Sequence, residues 1–317
     1  MKRLGAVYGK FCSLDNISKA LTNASKGKKE YREVKKILNN KDFYINKIHD
    51  LLINKNFINS KYKTFIRESG GKERVIKKLP FYPDRVIQHC IVQVAQDVWV
   101  KTLIRDTYST IPGRGIHDGV NRVKKALKDK ENTKFCLKFD INKYYPSIDN
   151  TILKKIIRKK IKDNDFLNVL DNIIDSEQGI PIGNYVSQWF GNLYLSELDH
   201  YIKEQLKCKY YFRYCDDLVL LSNNKNVLWS WFDNIKDFLE NKLNLVIKNN
   251  YQVFPLNVRG LDFLGYRFFH DYTLVRKRIV KTMKQKLNNP KSMASYYGWL
   301  KHADTFRLRD KYKIKYN

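Results

Sequence analysis

Apolar residues recur every three or four positions through residues 15–56, as in KEYREVKKILNN and FYINKIHDLLIN, with lysine-rich positions between them. That spacing gathers the apolar side chains on one face of a helix. Residues 60–79 change period. KYKTFIRE and KERVIKKL are extended runs on either side of Ser69-Gly70-Gly71, which predicts a β-hairpin with a glycine tip. Beyond Pro83, DRVIQHCIVQVAQDVWVKTL is apolar on nearly every side, so its helix belongs in a core. Residues 116–129 read as an amphipathic helix, and FCLKFDI (135–141) as a short strand ending in an acid. Helix is expected over 150–175 and 228–243, and GIPIGNYVSQWFGNLYLSELDHYIKEQL is a glycine-bearing turn entering a helix. YYFRYCDDLVLLS has two strand-forming halves around Asp216-Asp217, GLDFLGYRFF is a strand pair, and the chain from Lys277 is basic and mostly helical. Short antiparallel strands with helices on one face make an α+β fold.

Composition narrows the function classes. The 317 residues amount to about two domains' worth of chain, and 43% hydrophobic content is enough for a real core. Charge is the outlier: 61 Lys+Arg against 32 Asp+Glu leaves +29, distributed along the chain. Such a field favours polyanions, nucleic acid first and an anionic membrane surface second. No apolar run approaches the ~18 residues of a membrane span, and the start MKRLGAVYGKFCSLDN is too broken for a signal peptide. Cys12, Cys90, Cys136, Cys208 and Cys215 are odd in number, scattered and free of any C-x-x-C pair. They suit neither a disulfide framework nor a zinc site, so a reducing, cytoplasmic location is expected.

The chemistry lies in carboxylates. Adjacent acids inside an apolar, strand-forming run oppose each other's ionisation and their own burial. Asp216-Asp217 is therefore either an ordinary hairpin tip or a site where a divalent cation offsets the charge. Asp140 ends a second strand and supplies a third carboxylate at one sheet edge. Two metal ions roughly 3.5–4 Å apart can share such a set, and nucleotidyl transfer needs little further side-chain chemistry. Asp149 reads instead as an N-cap for the helix from Thr151.

FDINKYYPSID, with Asp216 of YCDD following 76 residues after Asp140, resembles motifs A and C of reverse transcriptases. KYKTFIRESGGKERVIKKLPFYPDRVIQHCIV resembles the fingers hairpin and its helix, YSTIPGRGIHDGV the second block, GIPIGNYVSQWFGNLYLSELDHYI motif B, and GLDFLGYRFF the primer-grip turn. These blocks stand in the family's order over roughly residues 60–270. Gln188 after Ser187, where most retroelement and intron enzymes carry proline, is similar to the enzymes of diversity-generating retroelements, as is SYYGWLKHAD (295–304). The resemblance implies a right-hand polymerase: an N-terminal basic helical segment (1–60), fingers (61–134), a palm with a small antiparallel sheet (135–270) and a short helical thumb (271–317).

It also implies roles. Asp140, Asp216 and Asp217, with the Ile141 carbonyl, would hold two Mg²⁺ ions, Mn²⁺ being a substitute. Lys72 and Arg74 of the fingers hairpin, with Lys63 and Arg67, would bind the incoming triphosphate, and Gly70 and Gly71 would let the tip close. Tyr145 would be the steric gate that rejects a 2′-OH. Gly183 and Gln188 would lie under the templating base and nucleotide. Lys248 is the only candidate for a general acid toward pyrophosphate, one residue out of register. Arg114, Tyr214, Gly265, Arg276, Lys277 and Arg278 would contact template and primer, with Lys281, Lys284 and Lys286 continuing the basic helix. Tyr296, Tyr297 and Trp299 would follow it on the thumb. Expected partners are a template RNA, a DNA or RNA primer, dNTPs and a small helical-bundle accessory protein. About 100 residues follow Asp217; a thumb would use most of them, leaving no room for an RNase H domain. The implied function is error-prone RNA-directed DNA synthesis in a diversity-generating retroelement. The alternatives are an antiphage-defence reverse transcriptase, a non-catalytic RNA-binding scaffold, and an RNA-only polymerase that Tyr145 disfavours.

Overall fold

The computed structural model describes residues 3–68 and 73–314. The chain divides into two compact units. The first comprises Met1–Ile104, Lys143–Asp199 and Glu240–Leu245; the second comprises Arg105–Asn142, His200–Leu239 and Val246–Asn317. Among the described residues no helix is long and apolar enough to cross a membrane.

The first unit is built on helices. Ser13 caps Leu14–Ala24 by accepting the Asn16 N–H, and the apolar face of that helix packs on Val86–Thr102. The latter is the expected core helix: Val86, Ile87, Cys90, Ile91, Ala95 and Trp99 are fully buried. Each large side chain withdrawn from water there contributes roughly 1.5–3 kcal/mol. Trp99 meets Trp189 and Phe190 of the helix Ser187–Tyr194, with ring centroids 5.7 and 6.1 Å apart. The single helical stretch expected over 150–175 is in fact two helices, Asn150–Arg158 and Asn164–Ile174. Two features stop the first and restart the second. Leu4 and Ile161 form a parallel bridge, and Asp163 caps the second helix at Phe166 while accepting the Val7 and Tyr8 N–H groups. Strands β1 (Lys63–Glu68) and β2 (Glu73–Lys78) form the predicted antiparallel hairpin. Gly70, Gly71 and Lys72 at its tip lie outside the described residues.

The second unit carries the main sheet. Strands β3 (Thr107–Tyr108), β4 (Phe135–Asp140), β5 (Tyr210–Tyr214), β6 (Asp217–Ser222) and β7 (Gln252–Pro255) are ordered β3-β5-β6-β4-β7. All neighbours are antiparallel except β3 with β5. Period-two alternation divides the sheet's faces. Leu137, Phe139, Leu218 and Leu220 point to one side, where Phe139 meets Phe232 of the helix Lys225–Leu243. Cys136, Phe212, Val219, Leu221 and Phe254 point to the other, into a core completed by the helix Ile116–Leu127 and the C-terminal helices. A second sheet, β8 (Leu261–Phe263), β9 (Tyr266–Phe268) and β10 (Thr273–Val275), packs into the same core. The helices Lys277–Lys284, Pro290–Leu300 and Phe306–Lys311 follow.

Candidate active site

The apolar face of the main sheet turns polar at one end. By the same alternation Lys138 and Asp140 of β4, Asp217 of β6 and Tyr214 of β5 continue the face of Cys136, Val219 and Phe212. Asp140 is the direct cross-strand partner of Asp217. Like charges at that spacing are destabilising in isolation. Cys215 and Asp216 make the two-residue turn between Tyr214 and Asp217, with Cys215 left-handed at φ 53°. That conformation costs an L-residue roughly 1–2 kcal/mol. Arg213, fully buried, restrains the turn by donating from Nη1 to the Cys215 carbonyl at 3.0 Å. The Ile141 N–H reaches the Asp216 carbonyl at 3.4 Å.

The acids are not equivalent. Burial pushes the Asp217 carboxyl up to about 6, against the opposing pull of the Lys138 ammonium, and the charges of Asp140 and Asp216 push it further the same way. Lys138 Nζ lies 3.0 Å from Asp217 Oδ2 and also donates to the Asp262 carbonyl on β8. Asp217 Oδ1 is buried without a hydrogen-bond partner. Lys248 approaches Asp140 twice: its N–H donates to the Asp140 carbonyl at 2.9 Å, and Nζ stands 3.9 Å from Oδ2. Lys138, Asp140, Asp217, Arg259, Asp262, Arg276 and Arg278 line a common cleft of about 480 Å³.

Carboxylate oxygens are the donors that Mg²⁺ and Mn²⁺ take, and the orphaned Asp217 Oδ1 has unused capacity for a cation. The donor chemistry therefore fits a divalent ion. Among the described residues, however, no group of three His, Cys, Asp or Glu side chains is close enough to hold one. The strand register sets Asp140 across from Asp217, and Asp217 Oδ2 is engaged by Lys138.

Other expected site residues occupy the same unit. Leu264 (φ 52°) and Gly265 (φ 85°) form the turn between β8 and β9, a conformation that suits a hairpin of this length. A Cβ on Gly265 would stand 2.3 Å from the Trp299 ring, so Trp299 is packed under this turn and is not a free groove-facing aromatic. The Gly265 carbonyl accepts the Arg276 N–H, and Arg276 Nε donates to Asp262 Oδ1 at 2.7 Å. Lys277 and Arg278 are exposed on the following helix. Tyr214 and Arg114 are half-buried; burial raises the Tyr214 hydroxyl and lowers the Arg114 guanidinium from their ordinary values.

In the first unit, β1 and β2 are exposed over most of their length, and the register sets Arg67 opposite Arg74 and Lys63 opposite Lys78. Gly183 (φ 135°) sits where a Cβ would stand 2.3 Å from the Lys77 carbonyl oxygen, and the Lys77 N–H donates to Ile182. Gln188 is exposed on the first turn of its helix. Tyr145, half-buried in Tyr144–Ser147, packs its ring against Gly191 and accepts the Ile180 N–H at its carbonyl. Lys72 lies outside the described residues. Sequence reasoning passed over Lys138, Arg213 and Asp262. The signal for Lys138 was available, since a residue two before Asp140 on a strand must share its face.

Comparison with known proteins extends this picture. In sequence the chain is 24% identical to protein YkfC of Escherichia coli K12, covering 68% of this chain and 67% of that one. It is 21% identical to the group II intron-encoded protein LtrA of Lactococcus lactis, over 47% of this chain and 26% of LtrA. In structure it resembles Candida albicans telomerase, solved with a fragment of telomeric RNA, at a TM-score of 0.54 and 13% identity. That match covers 75% of this chain and 52% of the telomerase. Apo telomerase from Candida tropicalis gives 0.52 at 16% identity, with 67% and 48% covered. The chain thus spans about half the length of these telomerases. Likeness of this kind shows the fold, an α+β right-hand fold of the polymerase type. The reverse transcriptase (RNA-dependent DNA polymerase) family matches residues 66–268, and the chain belongs to that family.

Proposed function

We propose that the protein is an RNA-directed DNA polymerase whose chemistry is carried by Asp140, Asp216 and Asp217. The supporting observation is the β4–β6 register, which sets Asp140 directly across from Asp217 beside the Cys215-Asp216 turn. In the reaction the primer 3′-oxygen forms a bond to the α-phosphorus of a dNTP, the bond to pyrophosphate breaks, and the 3′-hydroxyl proton passes to solvent. Mg²⁺ bound by these carboxylates, as a pair of ions, would lower the pKa of the attacking hydroxyl and offset charge on the leaving oxygen. Asp140 and Asp216 are the carboxylates that would chiefly hold the pair, with Asp217 and the Ile141 carbonyl as added contacts. Lys248, held beside Asp140, is assigned to the departing pyrophosphate.

Lys63, Arg67 and Arg74 are assigned to the triphosphate; the like-charged pairing of Arg67 with Arg74 is relieved when an anion binds between them. Tyr145 is assigned to sugar discrimination, and Arg276, Lys277 and Arg278 to the nucleic-acid backbone. The exposed Gln188 after Ser187 supports a diversity-generating role, with a template RNA, a primer and a helical-bundle accessory protein as partners. The test is primer extension on an RNA template with Mg²⁺ or Mn²⁺. Asp216→Ala should abolish dNTP incorporation and leave RNA affinity intact; continued extension by that variant contradicts the assignment. Errors concentrated opposite template adenine support the diversity-generating role, and an even error spectrum turns the reading toward antiphage defence.

A further inference from the structure

Lys138 is placed unusually for a lysine on the core-facing side of a central strand. Both it and Asp217 keep only about a quarter of their side chains exposed, at 23% and 24%. Its ammonium is held at three points: Asp217 Oδ2 at 3.0 Å, the Asp262 carbonyl, and the face of the Phe263 ring at 5.7 Å. A solvated surface lysine does not acquire such a set. Asp262 is tied in turn to Arg276, so the contact joins the acidic end of β6 to the β8–β9 turn. Among the described residues Lys138 is the one cation in ion-pair contact with Asp217. The consequence for the site is direct. Of the two Asp217 oxygens, Oδ1 is unpartnered and Oδ2 is already engaged by an ammonium, and among the described residues no three-ligand cluster exists.

We propose that Lys138 is a positioning residue that competes with the divalent cation for Asp217, holding this carboxylate in place until the cation takes over Oδ2. The proposal rests on the functional reading above, in that it assumes Asp217 to be a metal ligand. In the exchange Asp217 gives up one cationic partner for another. Lys138 retains the Asp262 carbonyl and the Phe263 ring, so it is displaced without being expelled from the structure. Two consequences follow. The protein without nucleic acid should bind a divalent ion more weakly than its carboxylates alone would allow, and removal of the ammonium should tighten that binding. A purely structural lysine would give the opposite result, because its loss would loosen the carboxylate and weaken binding.

The experiment measures Mn²⁺ bound to the full chain without template, primer or dNTP, from the electron paramagnetic resonance signal of free Mn²⁺. Lys138→Met should bind Mn²⁺ about tenfold more tightly than the native protein, the equivalent of removing a competing contact worth about 1.4 kcal/mol. Lys138→Arg, which keeps the charge, should stay near the native affinity. Thermal melting of each variant accompanies the titration, and Lys138→Arg supplies a folded comparison should Lys138→Met melt early. Tighter binding by Lys138→Arg to the same degree as Lys138→Met overturns the proposal, as does unchanged or weaker binding by Lys138→Met. Asp140→Asn separates the two levels of the argument. If native binding is insensitive to Asp140→Asn, the functional reading of the site fails. If Asp140→Asn abolishes binding while Lys138→Met leaves it unshifted, the site stands and only the role of Lys138 fails.

Discussion

Two antiparallel hairpins of similar length carry charge in this protein in opposite ways. The β1–β2 hairpin is exposed along most of both strands and sets cations opposite each other, Arg67 with Arg74 and Lys63 with Lys78. The β5–β6 hairpin lies inside a five-stranded sheet, with Phe212, Val219 and Leu221 buried on one face, and carries Asp217 at the end of that apolar face. In the first, water screens the repulsion, so the arrangement needs no internal compensation. In the second, burial amplifies the repulsion, and the structure answers with Lys138 at Asp217 and Arg213 at the turn. Charge on the exposed arm is open to solvent, whereas charge at the buried edge is fixed in position by its partners.

The sharpest break of this contrast is at the buried edge. Asp140→Asn should lower the rate of primer extension by about 10³-fold or more, the scale seen when one member of a catalytic set is removed, while the melting temperature stays within a few degrees. Single-turnover extension kinetics and a thermal melt check both halves. Next is the restraint on the turn. Arg213→Met should destabilise the protein by about 3 kcal/mol, because the left-handed Cys215 loses the bond to its carbonyl and a buried polar shell is left unsatisfied. Denaturant unfolding reads that loss.

A smaller effect comes from protons. The Asp217 carboxyl stands at about 6 in the folded protein because burial opposes its charge, against an ordinary value of 3.8. Between pH 3.8 and 6 the metal-free protein therefore holds a proton there that the unfolded chain has released. This contribution is fully present below pH 3.8 and is lost as pH rises through 6. Discounted for partial exposure, it is about 2 kcal/mol. The stability difference between the native protein and Asp217→Asn, measured in EDTA from pH 4 to 7, should narrow or reverse across that window; a constant difference contradicts the assignment. The smallest effect belongs to the exposed arm. Arg74→Gln should raise the KM for dNTP about tenfold with little change in kcat, and should stabilise the folded chain by a few tenths of a kcal/mol through relief of the Arg67 pairing. A loss of stability would show that the arm, too, is internally compensated.

Much of this was legible in the sequence, for physical reasons. The strands FCLKFD and YYFRY–DLVLLS combine period-two alternation with acids at their ends, so the acidic sheet edge follows from pattern alone. The core helix beginning at Val86 is apolar on nearly every side, and the run Ser69-Gly70-Gly71 announces a hairpin by its glycines. The break at residues 159–163 was not legible, since it is made by Leu4, a residue more than 150 positions away. β10 was missed because three residues carry no period. The turn of Asp217 onto Lys138 was hidden for another reason. Register places two side chains on one face, but only packing decides which of several oppositely charged neighbours each one meets.

The proposed chemistry requires that a divalent ion bind at the end of β4 and β6. Iron-directed cleavage tests it most directly, with Fe²⁺ substituted for Mg²⁺ and the chain cut by ascorbate and peroxide beside the bound ion. The account predicts cuts close to Asp140 and to Asp216-Asp217 that disappear in Asp140→Asn. Cuts confined to other segments, or cuts at these positions that persist in the variant, would contradict it.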